Sequence, residues 1–216
     1  MFQYLQWLHL ADRSQAQAFL DRLFLAYPSI LGTLEVVRFL YHCQHWIDPH
    51  AAHCWLERML KEGGEAAAQG MGELLVVRRA MFPAELWITE RLVELMRAAG
   101  MDDKLRAARI GIAHSVAHLW RQPEHRTLVH GYLLELLQDQ EEGILKALGN
   151  IFRLGEFLPD QASRELLDTL CDYPAILQHQ QSEFVGESLV TLVHTEPYRV
   201  HRLCNKLLDL AGMDMG

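Results

Sequence analysis

Proline and glycine are scarce in this 216-residue sequence, which contains seven and fourteen of them. Their scarcity excludes a collagen-like chain or a flexible linker, and an apolar content of 50% excludes a disordered chain. β-Branched residues are also few, since Val, Ile and Thr together number 25 against 37 Leu. Leucine is a strong helix former, whereas β-branched side chains lose rotamer freedom in a helix. Apolar residues recur at helical spacing and no alternating strand pattern occurs, so the sequence predicts an all-α fold.

Long apolar runs and a secretory leader are lacking as well. No run approaches the ~20 apolar residues that cross a bilayer. Met1 is not followed by a basic and then an apolar segment. The cysteines are too few for a disulfide scaffold and fall inside helical patterns, which predicts buried thiols in a reducing compartment; they are Cys43, Cys54, Cys171 and Cys204. We therefore expect a cytoplasmic protein without a membrane segment.

The few prolines are regularly spaced. Five of them follow an apolar helical pattern at intervals of 34, 40, 36 and 38 residues: Pro49, Pro83, Pro123, Pro159 and Pro197. Each precedes a new amphipathic segment, and proline suits the first turn of a helix. Proline also disfavours helix in the residue before it. We expect these prolines to begin helices, with Asp48 as the N-cap before Pro49.

A second marker gives the same period. The sequence Tyr-Pro-Ser-Ile-Leu at 27–31 recurs as Tyr-Pro-Ala-Ile-Leu at 173–177, which is 146 residues, or four units of 36.5, further along. Periods of this size are typical of stacked helical hairpins, in which no single hairpin buries its own apolar face. The second helix of each hairpin is predicted over 32–46, 65–82, 104–121, 142–157 and 182–195.

In period, helix pairing and proline placement, residues 14–211 resemble the HEAT/armadillo-like α-solenoid superfamily. The resemblance implies a right-handed α-solenoid, an α-α superhelix of five to six HEAT-like helical hairpins. It would form a single domain over 1–216, either alone or as a module of a longer protein. Tetratricopeptide repeats, with a period of about 34 residues, fit the longer intervals poorly. The resemblance implies a non-catalytic protein-interaction or scaffold module that binds another protein or a peptide on its concave face.

The second helices would line that concave face. Their polar positions form a candidate binding ridge of Arg38, His42, Gln69, Glu73, His114, His118, Lys146, Asn150, Arg153, Glu187 and Thr191. The ridge mixes charges of both signs, which suits a protein or peptide better than a polyanion. The apolar segment at residues 2–8 is a further candidate, for self-association.

A metal-dependent enzyme is one alternative. Weak candidate ligands for a metal are His42, His45, His50 and His53, which lie with two cysteines in the segment 42–54. This segment crosses a helix end and a proline and matches no familiar ligand spacing, so we predict neither a metal nor another cofactor. His114 and His118 share a helix face. However, the sequence has none of the His-Glu pairs that HEAT-like di-iron hydroxylases carry.

A HEAT-like DNA-repair glycosylase is the other alternative. Such an enzyme needs an aromatic and an acidic residue at a base-sized cleft, and Trp87 and Trp120 are the aromatic candidates. The net charge of −8 argues against nucleic-acid binding, which needs a clustered basic face. Nucleophile-elbow, phosphate-loop and dinucleotide motifs are also absent. We therefore favour a binding module over an enzyme.

Overall fold

A computed structural model describes residues 12–98, 102–139, 141–153, 157–179 and 182–213. Within these ranges the regular structure is helical and no strand occurs, which confirms the all-α prediction. None of the helices described combines the length and apolarity of a membrane-crossing segment. The candidate self-association segment at residues 2–8 lies outside the described ranges.

The described residues contain eleven α-helices and four short 3₁₀ helices. The α-helices are α1 (Arg13–Ala26), α2 (Leu34–Cys43), α3 (Pro49–Glu62), α4 (Glu65–Met81), α5 (Leu86–Arg97), α6 (Asp103–Trp120), α7 (Pro123–Leu137), α8 (Glu142–Leu148), α9 (Gln161–Asp172), α10 (Ser182–Leu189) and α11 (Pro197–Met213). The 3₁₀ helices are η1 (Pro28–Gly32), η2 (Gly149–Ile151), η3 (Pro174–His179) and η4 (Val190–Leu192).

The chain divides into two compact units, Met1–Ile112 and Ala113–Gly216. In the first unit, α4 packs against α2, α3 and α5. In the second unit, α9 packs against α7 and α11, and α7 also packs against α8. In both units, therefore, helices that are two apart in the sequence contact each other. The superhelical arrangement and the number of hairpins stay predictions.

The first helices of successive predicted hairpins contact each other through side chains. In the first unit, the Trp55 indole of α3 donates a 2.9 Å hydrogen bond to Asp21 of α1, 34 residues earlier. In the second unit, Arg199 of α11 donates to both oxygens of Asp168 of α9 at 3.1 and 3.0 Å, 31 residues earlier. These separations are close to the period predicted from the prolines.

The second helices of the first unit contact each other through glycines. A Cβ atom on Gly70 of α4 would lie 2.4 Å from a methyl group of Val37 on α2. On α6, a Cβ atom on Gly111 would lie 2.0 Å from the carbonyl oxygen of Gln69 on α4. Such approaches are far shorter than van der Waals contact, so α4 packs closely against both neighbours only because these positions lack a side chain.

Three of the five prolines begin helices as predicted: Pro49, Pro123 and Pro197. The Asp48 carboxylate accepts hydrogen bonds from the backbone N–H groups of His50 and Ala51 at 2.9 and 3.2 Å, which confirms the predicted N-cap. The prediction is wrong for Pro83 and Pro159.

Pro83 and Pro159 lie in turns that precede a helix. Pro83 precedes α5 by three residues, and Glu85, the residue just before α5, accepts a 2.7 Å hydrogen bond from Arg78. Pro159 precedes the cap of α9, where Asp160 accepts from the Ser163 backbone N–H at 2.8 Å. A proline therefore marks the approach to a helix more reliably than its first residue.

An aromatic residue before proline ends three helices in the same conformation. Tyr27, Phe82 and Tyr173 have φ,ψ angles of −132°,70°, −129°,68° and −123°,70°. Each donates its N–H to the carbonyl oxygen four residues earlier. Proline disfavours helix in the preceding residue, so these dipeptides end the helix. Two of these sites belong to the repeated Tyr-Pro segment that marks the period in the sequence, and Phe82–Pro83 is a third.

Two predicted second helices are shorter than expected. The predictions over 142–157 and 182–195 are wrong in length, because α8 ends at Leu148 and α10 at Leu189, each followed by a 3₁₀ helix. The residues after α8 form hydrogen bonds with α10 instead of continuing their own helix. The Phe157 N–H donates to the Ser188 carbonyl oxygen at 2.9 Å, and the Ser188 hydroxyl donates to the Phe152 carbonyl oxygen at 2.8 Å.

Only two of the four cysteines are buried. Cys43 and Cys171 are buried as predicted, whereas Cys54 and Cys204 are exposed. Cys54 lies on the face of α3 opposite Trp55, Leu56 and Met59, which form the buried side of that helix. The prediction that all four thiols are buried is therefore wrong, because a helical pattern does not fix the face on which a small residue lies.

Candidate functional site

The ridge residues of the first unit lie on α2 and α4. Arg38 and His42 are exposed on α2, beside the partly exposed Tyr41. Gln69 and Glu73 are half-buried on α4, and the Gln69 amide donates to the Glu73 carboxylate at 3.3 Å. The exposed part of the ridge in this unit is therefore the α2 face.

The ridge residues of the second unit differ in their exposure and in their partners. The exposed members are His114, His118, Lys146, Arg153 and Glu187. Lys146 pairs with Glu142 at 2.5 Å. The Asn150 amide donates to the Ala147 carbonyl oxygen at 3.0 Å. The Thr191 hydroxyl donates to the Phe157 carbonyl oxygen at 2.5 Å. Asn150 and Thr191 therefore bond to the backbone of their own unit.

The histidines proposed as weak metal ligands have other partners. His50 Nε2 lies 3.8 Å from the Cys54 sulfur, which follows one turn later. The His53 ring stacks on Trp87 with ring centroids 4.4 Å apart. No group of three or more His, Cys, Asp or Glu side chains is arranged to hold a metal ion within the described ranges. His42, His45, His50 and His53 therefore do not converge on one point.

An open cleft of about 470 Å³ lies between α7 and α9 in the second unit, and we call it the α7–α9 cleft. It is lined by Pro123, Arg126, Thr127 and His130 from α7, and by Leu158, Asp160, Gln161, Ala162 and Glu165 from α9 and the turn before it. Its size lies within the range of ligand-binding pockets, about 300–1,000 Å³.

Arg126 is the most buried charged residue of the cleft, with 6% of its surface exposed. Its Nη2 donates a 2.6 Å hydrogen bond to the Ser163 hydroxyl, and its Nη1 lies 3.5 Å from the Asp160 carboxylate. The guanidinium carbon lies 4.1 Å from the centroid of the Trp120 ring. Burial lowers the pKa of Arg126 and the charge of Asp160 opposes this effect, but arginine stays protonated in proteins.

His130 and Glu165 form a hydrogen-bonded pair at the same cleft. His130 lies one turn after Arg126, and its Nε2 is 2.6 Å from Glu165 Oε2. The imidazole also stacks on Trp120, with ring centroids 5.3 Å apart. The second oxygen of Glu165 accepts from the Gln161 amide at 2.9 Å. The bonds from His130 and then Gln161 lower the pKa of Glu165, so its carboxylate is ionised and held from both sides.

The accessible chemistry of the cleft is acidic and apolar. The side chains of Asp160 and Glu165 are 40% and 45% exposed, and Leu158 is also partly exposed. Trp120 is only 1% exposed, and its ring is contacted by Arg126 and His130. It therefore offers no open face on which a nucleobase could stack, which a glycosylase would need.

These cleft residues were not predicted from the sequence, because the predicted binding ridge lies on the second helices and the cleft lies between first helices. Arg126 and His130 are on the first helix of their predicted hairpin, spaced i, i+4. Their partners Ser163 and Glu165 lie 37 and 35 residues later, about one repeat. A search for donors and acceptors offset by one repeat on first helices would have found this group.

The hydrogen bonds that Glu165 accepts predict that the fold is less stable at acidic pH. Its pKa lies below the ordinary value of 4.5, as does that of Glu196, which is bonded by Arg199 and Arg164. The unfolded chain therefore binds more protons at acidic pH. We expect the free energy of unfolding to fall as pH is lowered from about 5 through these folded-state pKa values. Urea midpoints at neutral and acidic pH measure this, and Glu165→Gln should reduce the dependence. An unchanged wild-type midpoint would contradict the prediction.

Comparisons of this chain with protein-family models, curated proteins and solved structures find no match.

Proposed function

We propose that this chain is a protein-interaction module and that the α7–α9 cleft receives one side chain of a bound protein or peptide. The observation that carries the proposal is the fixed polar arrangement of this open cleft. Glu165 is held by His130 and Gln161, and Asp160 is held as the cap of α9. Side chains already held in place lose little entropy on binding, which favours recognition of a partner.

The contacts between alternate helices support a HEAT-like scaffold as the framework of this module. Side-chain bonds join first helices to first helices and second helices to second helices, as at Trp55–Asp21 and Ser188–Phe152. In the proposed right-handed solenoid, the second helices would line a concave face. The exposed Arg38 and His42 on α2 would then extend the interaction surface.

Leu158 supplies the apolar contact of the proposed site. It lies in the turn before α9, lines the cleft and is 42% exposed. Fully burying an exposed leucine contributes about 1.5–3 kcal/mol, so the 42% of Leu158 that is exposed can contribute about 0.6–1.3 kcal/mol, or about three- to ninefold in affinity. The contribution of Leu158 to the binding free energy is therefore large enough to measure.

The test is a selection of random displayed peptides on the immobilised full chain. We expect enriched peptides that bind the wild type and bind Leu158→Asp at least about threefold more weakly, because the apolar wall is lost. Affinities are measured by titration calorimetry.

Leu208→Asp is the matched control. Leu208 is an exposed leucine on α11 of the same unit and does not line the cleft. Circular dichroism checks that both variants fold. A selection without enrichment would overturn the proposal, as would peptides that bind Leu158→Asp as tightly as the wild type.

A further inference from the structure

Among the acidic and arginine side chains that line the α7–α9 cleft, negative charges outnumber positive ones. Arg126 contributes one positive charge, and Asp160 and Glu165 contribute one negative charge each. These three side chains together have a formal charge of −1. The whole chain also has a net charge of −8, which attracts basic segments over longer distances.

The positive charge of Arg126 is turned away from an incoming ligand. Its guanidinium is packed on Trp120 and bonded to Ser163, whereas the carboxylates of Asp160 and Glu165 remain partly exposed. Solvent and ligands therefore meet negative oxygens at this cleft.

Two polar atoms of the lining are buried without a hydrogen-bond partner, Arg126 Nε and His130 Nδ1. Buried polar groups in proteins are almost always bonded, so such atoms need an explanation. The other deeply buried arginine, Arg78, donates from all three nitrogens, to Glu85 and Gln44. Arg126, by contrast, leaves one N–H unbonded beside the cleft, and that atom is covered from solvent.

The apolar wall fits the stem of a long basic side chain. Lysine and arginine place their methylene groups on apolar surface and keep the charged head in a polar environment. Leu158, Ala162 and Pro123 provide such a surface beside the two carboxylates.

We infer that the α7–α9 cleft binds the arginine or lysine side chain of a partner peptide, with the cation at Asp160 and Glu165 and the stem on Leu158. The inference rests on the proposed function and names the chemical class of its ligand. A guanidinium suits the site best, because its planar fork can donate two parallel hydrogen bonds to one carboxylate.

The test uses acetylated and amidated heptapeptides that differ only at the central residue, which is arginine, lysine, citrulline or glutamate within a Gly/Ala sequence. Each is titrated into the ¹⁵N-labelled full chain by NMR. We expect arginine and lysine peptides to shift amides of α7 and α9. The citrulline peptide should bind at least about tenfold more weakly, the loss typical of a bond to a charged group. The glutamate peptide and free guanidinium should bind more weakly still.

Two variants localise the binding. Asp160→Asn keeps a side chain that caps α9, because asparagine is also a good N-cap. Glu165→Gln keeps the shape and removes the charge. Each substitution should weaken binding of the arginine peptide by about tenfold. The matched control is Glu183→Gln, which removes one exposed charge from the same unit outside the cleft lining.

The outcomes separate this inference from the proposed function. Equal binding of arginine and citrulline peptides, binding of the glutamate peptide in preference, or undiminished binding by Glu165→Gln would overturn the inference. Displayed peptides that depend on Leu158 but carry no basic residue would also overturn it, while supporting the interaction module. Shifts that localise to the cleft, with the expected losses in the two variants, would support both.

Discussion

Replacing Arg78 with alanine should lower the free energy of unfolding of the first unit by about 3–5 kcal/mol, the cost of breaking a buried ion pair. Arg78 is fully buried. Its Nε and Nη2 donate to the two oxygens of Glu85 at 2.8 and 2.7 Å, and its Nη1 donates to the Gln44 side chain at 3.0 Å. The alanine variant leaves the largely buried Glu85 carboxylate without its main partner. Urea denaturation followed by circular dichroism measures the loss.

The size of this effect depends on the geometry of the guanidinium. Arg78→Lys keeps the charge but loses the planar fork, so it should also destabilise the unit, by less than alanine does. Arg22→Ala is the control, because Arg22 is exposed and, among the residues that the structure describes, bonds to the Ala18 carbonyl of its own helix. It should change the free energy of unfolding by no more than about 0.5 kcal/mol. A loss below about 1 kcal/mol for Arg78→Ala would show that the buried pair does not stabilise the fold.

Replacing Gly72 with alanine should lower the free energy of unfolding by about 2–3 kcal/mol through overpacking. The new Cβ atom would lie 2.0 Å from the Ala108 carbonyl oxygen and 3.0 Å from the Ile112 nitrogen. Both are backbone atoms of α6, so no side-chain rotation relieves the clash and the two helices must separate. This cost exceeds the gain in helix propensity, which is about 1 kcal/mol.

Gly131→Ala is the matched control for this prediction. Gly131 is an exposed residue within α7, and a Cβ atom there meets nothing within 4 Å. It should raise the free energy of unfolding by about 0.5–1 kcal/mol, because alanine stabilises a helix and restricts the unfolded chain. The same Gly→Ala substitution should therefore change the free energy of unfolding in opposite directions at the two positions, and chemical denaturation of both variants measures this. A stabilised Gly72→Ala variant would contradict the close contact between α4 and α6.

Much of the secondary structure follows from local chemistry and was predictable. Leu-rich amphipathic segments, the Asp48 cap and the Tyr-Pro helix ends depend on residues within one turn. The helix starts near Pro83 and Pro159 were predicted only approximately, because the residues just before α5 and α9, Glu85 and Asp160, precede the first turn in place of the proline. The same holds for the early ends of α8 and α10, which are fixed by bonds between Phe152 or Phe157 and Ser188.

The cleft was harder to predict than the helices. In the sequence, Arg126 and Glu165 are charged residues at unremarkable positions of a helical pattern, and only the packing of α7 on α9 brings them together. The aromatic candidate Trp120 was visible in the sequence, but its burial under Arg126 and His130 was not. Residues such as Arg38 and His42 were predicted to be exposed because their own helix fixes their face, and the structure agrees.

The spacing of the bonds between helices has a consequence for how the chain folds. These bonds join residues 30 to 43 positions apart. The loop that must close before such a bond forms is short, and closure entropy grows only with the logarithm of loop length. A chain built from contacts of this range has low contact order, which is associated with rapid folding. Each neighbouring pair of hairpins can thus begin folding without waiting for the rest of the chain.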